Sequence, residues 1–247
     1  MLSACEASLF FHPLHPRCRP LRARVILAFL AFIPSSAPAA EVQHHGVVFE
    51  KWVRDTFFDG YTPTSYTQKW DIPADANRTH GHIPVNPKAA KYGSPVDLGD
   101  ALRQFDIDEP FLLVIGYWQQ HGAEKRFVNI VAPRLEPAQW RALWHPITRA
   151  DLARLDAVIK DRSLTPAQAR AAARKIKNAP PFTLSRIVVN PKIDSKSQRR
   201  LQCSLRFADV FTHLAPAADL APHPRPSLWG IEFPGPLPSP PRPSAHR

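Results

Sequence analysis

Cysteine is scarce in this sequence. Three occur in 247 residues, at positions 5, 18 and 203, and the first two lie in an N-terminal stretch set apart from the folding part. Cys203 alone leaves no disulfide framework and no thiolate set for zinc. Long apolar runs are lacking as well. The run at 25–33 has nine residues, whereas a helix needs about 20 to span a bilayer stably, so no stable membrane partner is expected. Acids are lacking where bases gather. From Lys160 to Arg206, two acids, Asp161 and Asp194, stand against twelve Lys and Arg, while the rest of 41–214 has sixteen acids and thirteen bases. A one-sided basic surface suits a polyanion, because each neutralised phosphate releases counterions. The alternative is a solvated, charge-rich pair of helices.

Proline, by contrast, is plentiful. Of 28, five fall in residues 1–40 and ten in 215–247. The folding part is therefore placed at 41–214, a single-domain length, with disordered extensions at both ends. In the first, Arg17, Arg19, Arg22 and Arg24 precede the apolar run, and the small residues 37–40 follow it. That order resembles a cleaved signal peptide; the alternative is a dispensable extension of a cytoplasmic protein. The Pro-rich 215–247 segment has no periodicity and reads as a disordered tail.

Between the extensions the signals alternate. Val48, Phe49, Trp52, Val53 and Phe57 recur at helical spacing, with Gly60 and Pro63 as stops. Glu50, at the edge of that apolar face, reads either as a surface acid or as one aimed at a site. Tyr61 to Trp70 has a strand composition and delivers Asp71. A polar loop with His80 and His82 follows; no third metal ligand has a matching spacing, so both read as solvated. Ile83 to Lys88 is a second extended segment, and Pro84 and Pro87 make it short, bulged or an edge. Asp97 reads as a helix cap or as a second metal carboxylate. Phe111 to Trp118, apolar throughout, is a central strand, and 125–132 returns beside it as a hairpin. Helices are predicted over 137–144, 149–160 behind Thr148, and 165–177. Phe182 to Val189 alternates as a strand, and Leu201, Leu205 and Phe211 mark a further helix. Arg199 and Arg200 at its start would oppose the helix dipole, which an external anion would relieve; two exposed arginines are the alternative.

Asp71 and Lys88 carry the chemistry. Phosphodiester hydrolysis needs a carboxylate that holds a divalent metal and a cation near the attacking water or scissile phosphate. Two neighbouring strands supply both at short range, since facing side chains lie about 5 Å apart. A helix bearing Glu50, an extended segment ending at Asp71, a strand carrying Asn86-Pro87-Lys88 and a central apolar strand together resemble the PD-(D/E)XK nuclease superfamily, the fold of many type II restriction endonucleases.

That resemblance covers about 44–130. It implies an α/β fold, a mixed β-sheet flanked by helices, and a Mg²⁺-dependent endonuclease of restriction type acting on double-stranded DNA. Asp71 would be the metal carboxylate, Lys88 would orient or polarise the attacking water, Glu50 would assist the metal, and Asn86 would occupy the usual acidic slot. Asn86 and Trp70 depart from the pattern, and Asp97 is the acid the site would recruit. Lys192, Lys196, Arg199 and Arg200, with Arg174 and Lys175 on the preceding helix, would hold the duplex. A homodimer would suit a cutter of both strands, although no interface is readable in the sequence. A second core, Asp97 with Glu124 and Lys125, ranks lower because the hairpin turn would carry Lys125 away from the acid. Two other functions remain open at this point: a non-catalytic nucleic-acid-binding domain derived from a nuclease, and an exported protein of another role.

Overall fold

A strand that is apolar on both sides organises the molecule. The computed structural model describes residues 37–65, 68–122, 124–194 and 197–238. In strand β3 (Phe111–His121), Phe111, Leu113, Ile115 and Tyr117 join one apolar core, while Leu112 and Val114 join another on the opposite side. β3 is therefore central. It pairs in parallel with β1 (Val85–Lys91) and antiparallel with β4 (Glu124–Val131), and its first residues also pair with the short β5 (Arg134–Leu135). This is a mixed sheet, order β1-β3-β4-β10, with β10 (Leu237–Pro238) at the far edge. β1 is the other edge, and Pro87 faces away from β3, where its missing amide costs no ladder bond; Pro84, just before the strand, accepts from the Leu112 amide at 2.8 Å.

Helix α1 (Ala37–Phe57) covers one face of this sheet. Phe49 and Val53 are fully buried there, and the Phe49 ring stacks on Phe127 with centroids 4.9 Å apart. Gly116 makes the approach possible: a Cβ at that position would lie 2.5 Å from the Phe49 ring and 2.7 Å from Phe127. Gly60, at φ +67, turns the chain out of the helix.

On the other face lie helices α3 (Pro137–Trp144), α4 (Arg149–Lys160) and α5 (Pro166–Lys177) and a second, antiparallel sheet. Thr148 and Thr165 both close capping boxes, and Pro166 sits in the first turn. The second sheet runs β2 (Val96–Asp100), β7 (Arg199–Leu205), β6 (Ile187–Ile193). Its inner side chains, among them Val96, Ile187, Val189, Leu201, Cys203 and Leu205, pack with α4 and α5. Cys203 is buried, and burial holds its thiol well above the ordinary range. The protein is thus a mixed α/β fold with helices on both sides of a mixed sheet. Among the described residues no helix is long and apolar enough to cross a membrane.

Four expectations are corrected. Residues 61–65 and 68–70 form no strand; only Ile72 pairs, as an isolated bridge to Val85, and the remaining turns are tied by Asn77. The expected helix after Arg200 is β7. Leu201 and Leu205, four apart, satisfy a period of two as well as 3.6, and buried Cys203 between them decides for the strand. Only α6 (Phe207–Asp209) and the π-turn 210–214 are helical there. Asp97 does not cap a helix: it lies on β2, and Asp100 caps α2 (Ala101–Phe105) by accepting from the Arg103 amide. The described part of the 215–247 segment, residues 215–238, is structured. β8 (Ser227–Leu228) and β9 (Ile231–Glu232) form a hairpin, and Leu228 and Phe233 enter the core beneath α1. Residues 1–36 and 239–247 lie outside the described residues.

Candidate active site

Asp71 and Lys88 meet, although not as facing residues of two strands. Asn77 is fully buried and ties the 72–84 loop by donating to the carbonyls of His80 and Ile83 while accepting from the His80 amide. Ile72 and Val85 then exchange two backbone hydrogen bonds of 3.1 and 2.8 Å. That single bridge sets Asp71 beside the start of β1. Lys88 Nζ donates to Asp71 Oδ2 at 2.9 Å and to the Pro87 carbonyl, also at 2.9 Å. The lysine side chain is 18% exposed and the aspartate 38%, so the pair lies at a cleft wall rather than on open surface.

Asn86, two residues before Lys88, is buried, and both line the same cleft of about 280 Å³. Asp71, Asp97, Arg103, Gln104 and Gln202 complete its walls with Gln68, Lys69, Leu98 and Gly99. Asp97 is therefore brought to the same cleft as Asp71. Its Oδ1 accepts from the Gly99 amide at 2.9 Å. Gln104 is 3% exposed, and its Oε1 has no hydrogen-bond partner among the described residues. That oxygen is itself buried, so it stands behind the cleft wall as an unsatisfied acceptor.

Glu50 stands behind this group on α1. Burial raises its pKa above the ordinary value, Lys88 opposes that shift, Asp71 adds to it and Arg54 opposes it. The acid is thus within electrostatic reach of the Asp71–Lys88 pair. Nevertheless, no three His, Cys, Asp or Glu side chains among the described residues are grouped closely enough to hold a metal by themselves.

Of the second core, Glu124 pairs with Arg126 at 3.0 Å and Lys125 lies over the Trp118 ring at 4.5 Å. Neither lines the cleft that holds Asp97. His80 stacks on Trp229 at 3.6 Å, and burial lowers its pKa.

The basic residues do not share one surface. Lys192 and Arg200 are register partners on the outer face of the second sheet. Arg174 and Lys175 are exposed on α5, which packs against the inner face. Arg199 is spoken for: its guanidinium donates to the carbonyls of Ile159, Asp161 and Leu164 at 3.1, 2.8 and 2.8 Å. It thereby caps the carbonyl end of α4 instead of facing an anion. Lys196 lies outside the described residues. Gln68, Arg103, Gln104 and Gln202 were missed as cleft residues. No spacing marks them, because the cleft joins four separate segments, the last of them Gln202.

No family model, curated protein or solved structure matches the chain.

Proposed function

We propose that the chain is a divalent-metal-dependent endodeoxyribonuclease of restriction type, built on the PD-(D/E)XK plan. The observation that carries this reading is the Lys88 ammonium 2.9 Å from the Asp71 carboxylate, with Glu50 coupled to both and Asn86 and Asp97 in or beside the same cleft. Mg²⁺ takes hard oxygen ligands and keeps several waters, so one or two carboxylates with substrate phosphate suffice. The donor set fits that habit: Asp71 with Glu50 or Asp97 as carboxylates, and the amide oxygen of Asn86 as a neutral acceptor. When bound, Mg²⁺ supplies charge neutralisation at the phosphate and a more acidic water. Lys88 would hold the attacking water or offset charge growing on the scissile phosphate, a role suited to an ammonium anchored by its own strand. Lys192 and Arg200 would hold double-stranded DNA alongside.

Plasmid DNA incubated with the purified chain tests this. Cutting is expected with Mg²⁺ and not with chelator. Asp71→Ala should lower the rate by about 10²–10³-fold, the scale for losing one preorganised electrostatic partner, while duplex affinity stays within a few-fold. Cutting that persists in Asp71→Ala, or in chelator, would remove the assignment.

Asn86 favours a second reading, a duplex-binding protein descended from a nuclease. A neutral amide in the acidic slot weakens Mg²⁺ binding, and one salt bridge then satisfies both Asp71 and Lys88. On this reading the wild-type chain binds duplex and never cuts.

A further inference from the structure

Sheet parity separates the residues of β6 and β7 into two sets. Ile187, Val189 and Ile193 of β6 and Leu201, Cys203 and Leu205 of β7 are buried against the helices. The intervening residues point to the opposite face, where Ser204 is buried, Val188, Asn190, Lys192 and Gln202 are half-buried and Arg200 is exposed. In register they form rows: Val188 opposite Ser204, Asn190 opposite Gln202, and Lys192 opposite Arg200. β2 extends the first two rows with Asp97 beside Ser204 and Asp100 beside Gln202. Gln202 also lines the cleft of Asp71 and Lys88. One outer face therefore leads from the acidic cleft through a pair of amides to a pair of cations.

The chemistry of those rows differs in kind. Lys192 and Arg200 have no ion pair or hydrogen bond to another side chain among the described residues, and Arg200 is exposed. Asn190 is held in place: its Nδ2 donates to Ser204 Oγ at 2.9 Å and less closely to the Val188 carbonyl at 3.3 Å. That arrangement leaves its Oδ1 as an acceptor. Gln202 makes no side-chain hydrogen bond among the described residues. Paired positions across an antiparallel ladder lie about 5 Å apart, and successive rows on one face about 7 Å, roughly two base steps of 3.4 Å along one DNA strand. Cations in such a row suit phosphates, which position a duplex. Carboxamides suit base edges: Gln202 has both amide ends open for bidentate pairing with adenine N6 and N7, whereas Asn190, its Nδ2 engaged by Ser204 and Val188, offers Oδ1 to a single base amine.

We propose that the outer face of the β6–β7 pair reads base sequence in the major groove of DNA, Gln202 and Asn190 contacting base edges while Lys192 and Arg200 hold the flanking phosphates. β2 ends opposite Gln202, and beyond it β6 and β7 continue as a two-stranded ribbon through Lys192 and Arg200; such a ribbon fits a B-form major groove about 12 Å wide, whereas the deep, narrow major groove of A-form RNA excludes it. The proposal rests on the nuclease reading for its ligand, duplex DNA, but not for any cutting.

Selection from randomised DNA duplexes by the full chain in chelator tests it, with cleavage of plasmid in Mg²⁺ measured separately. The wild-type chain is expected to enrich a motif containing A·T pairs. Gln202→Ala, which breaks no side-chain hydrogen bond among the described residues, should lower discrimination at one or two base pairs by about 5- to 150-fold. Affinity for unrelated duplex should stay within about twofold. Asn190→Ala should act at neighbouring positions, and Gln202→Arg should shift the preference toward guanine. Lys192→Ala and Arg200→Ala should weaken binding to all sequences alike. A wild-type chain with no motif, a motif unchanged in Gln202→Ala and Gln202→Arg, or equal competition by duplex RNA would overturn the proposal. Cutting that depends on Asp71 while the motif ignores Gln202 would sink this inference and leave the nuclease reading standing. A Gln202-dependent motif without cutting would do the reverse.

Discussion

Burying a carboxylate without a direct counter-charge costs free energy, and Glu50 carries that cost on α1. Its pKa lies above the ordinary 4.5, burial being the largest cause and the Asp71 charge a further one, against Lys88 and Arg54. The native state therefore binds this proton more tightly than the unfolded chain. Its contribution to stability is fully present below pH 4.5 and is lost as pH rises through the folded-state value. Glu50→Gln removes the titration. In metal-free buffer the variant is expected to melt above wild type at pH 7, with the difference closing as pH falls below 4.5. Denaturant titration across that range measures it; equal melting at pH 7 would mean that the acid is solvated. Mg²⁺ at a hundred times its Kd adds about 2.7 kcal/mol to a native state that binds it at one site. On the proposed function, Mg²⁺ should thus stabilise wild type more than Glu50→Gln and reverse their order. Periodicity put Glu50 near the edge of a buried face but could not aim it, since a small rotation of α1 decides between solvent and site. The two acids at 97 and 100 were equally opaque. Either suits a cap by residue type, and the start of α2, one residue after Asp100, settles which serves.

Elements with one unambiguous period were legible. The apolar run of β3, the hairpin with β4 and the Thr-capped α4 and α5 follow from pattern and capping chemistry alone. β7 was not legible, because its apolar residues fit two periods until a partner strand exists. The 215–238 segment was not legible either. Its prolines and sparse apolar residues lack periodicity, yet Leu228 and Phe233 fill space beneath α1 that only the assembled sheet creates. That α1 contact can be tested at Gly116. A methyl group there would meet the Phe49 ring at 2.5 Å, and overpacking of this kind typically costs about 1–3 kcal/mol. Gly116→Ala is expected to lower stability by that amount and to displace the helix that carries Glu50. Adding Phe49→Leu should recover part of the loss, because the smaller side chain gives the methyl room. Chemical denaturation of the single and double variants measures the coupling; strictly additive losses would show that the helix does not rest on this glycine.

At the scale of the molecule, the charge of the 160–206 segment is divided by a sheet. The sequence shows twelve bases in one stretch, and a single basic face is the simplest way to imagine them. Folding separates them instead. Arg199 turns inward to the carbonyl end of α4, Arg170 donates to the Ile193 carbonyl at 3.1 Å, and Arg174 and Lys175 leave from the far side of α5. Among the described basic contacts, Lys192 and Arg200 alone share the outer face with the cleft. A duplex seated over Asp71 and Lys88 would meet these two and not the α5 pair. The salt dependence of DNA binding distinguishes the two faces, because each phosphate contact contributes about −0.9 to the slope of log affinity against log salt. Lys192→Ala and Arg200→Ala are each expected to reduce the magnitude of that slope by about one. Arg174→Ala and Lys175→Ala should leave it unchanged. If the α5 variants flatten the slope and the sheet variants do not, the duplex lies on the other side of the molecule, and the cleft of Asp71 is too far from it to act.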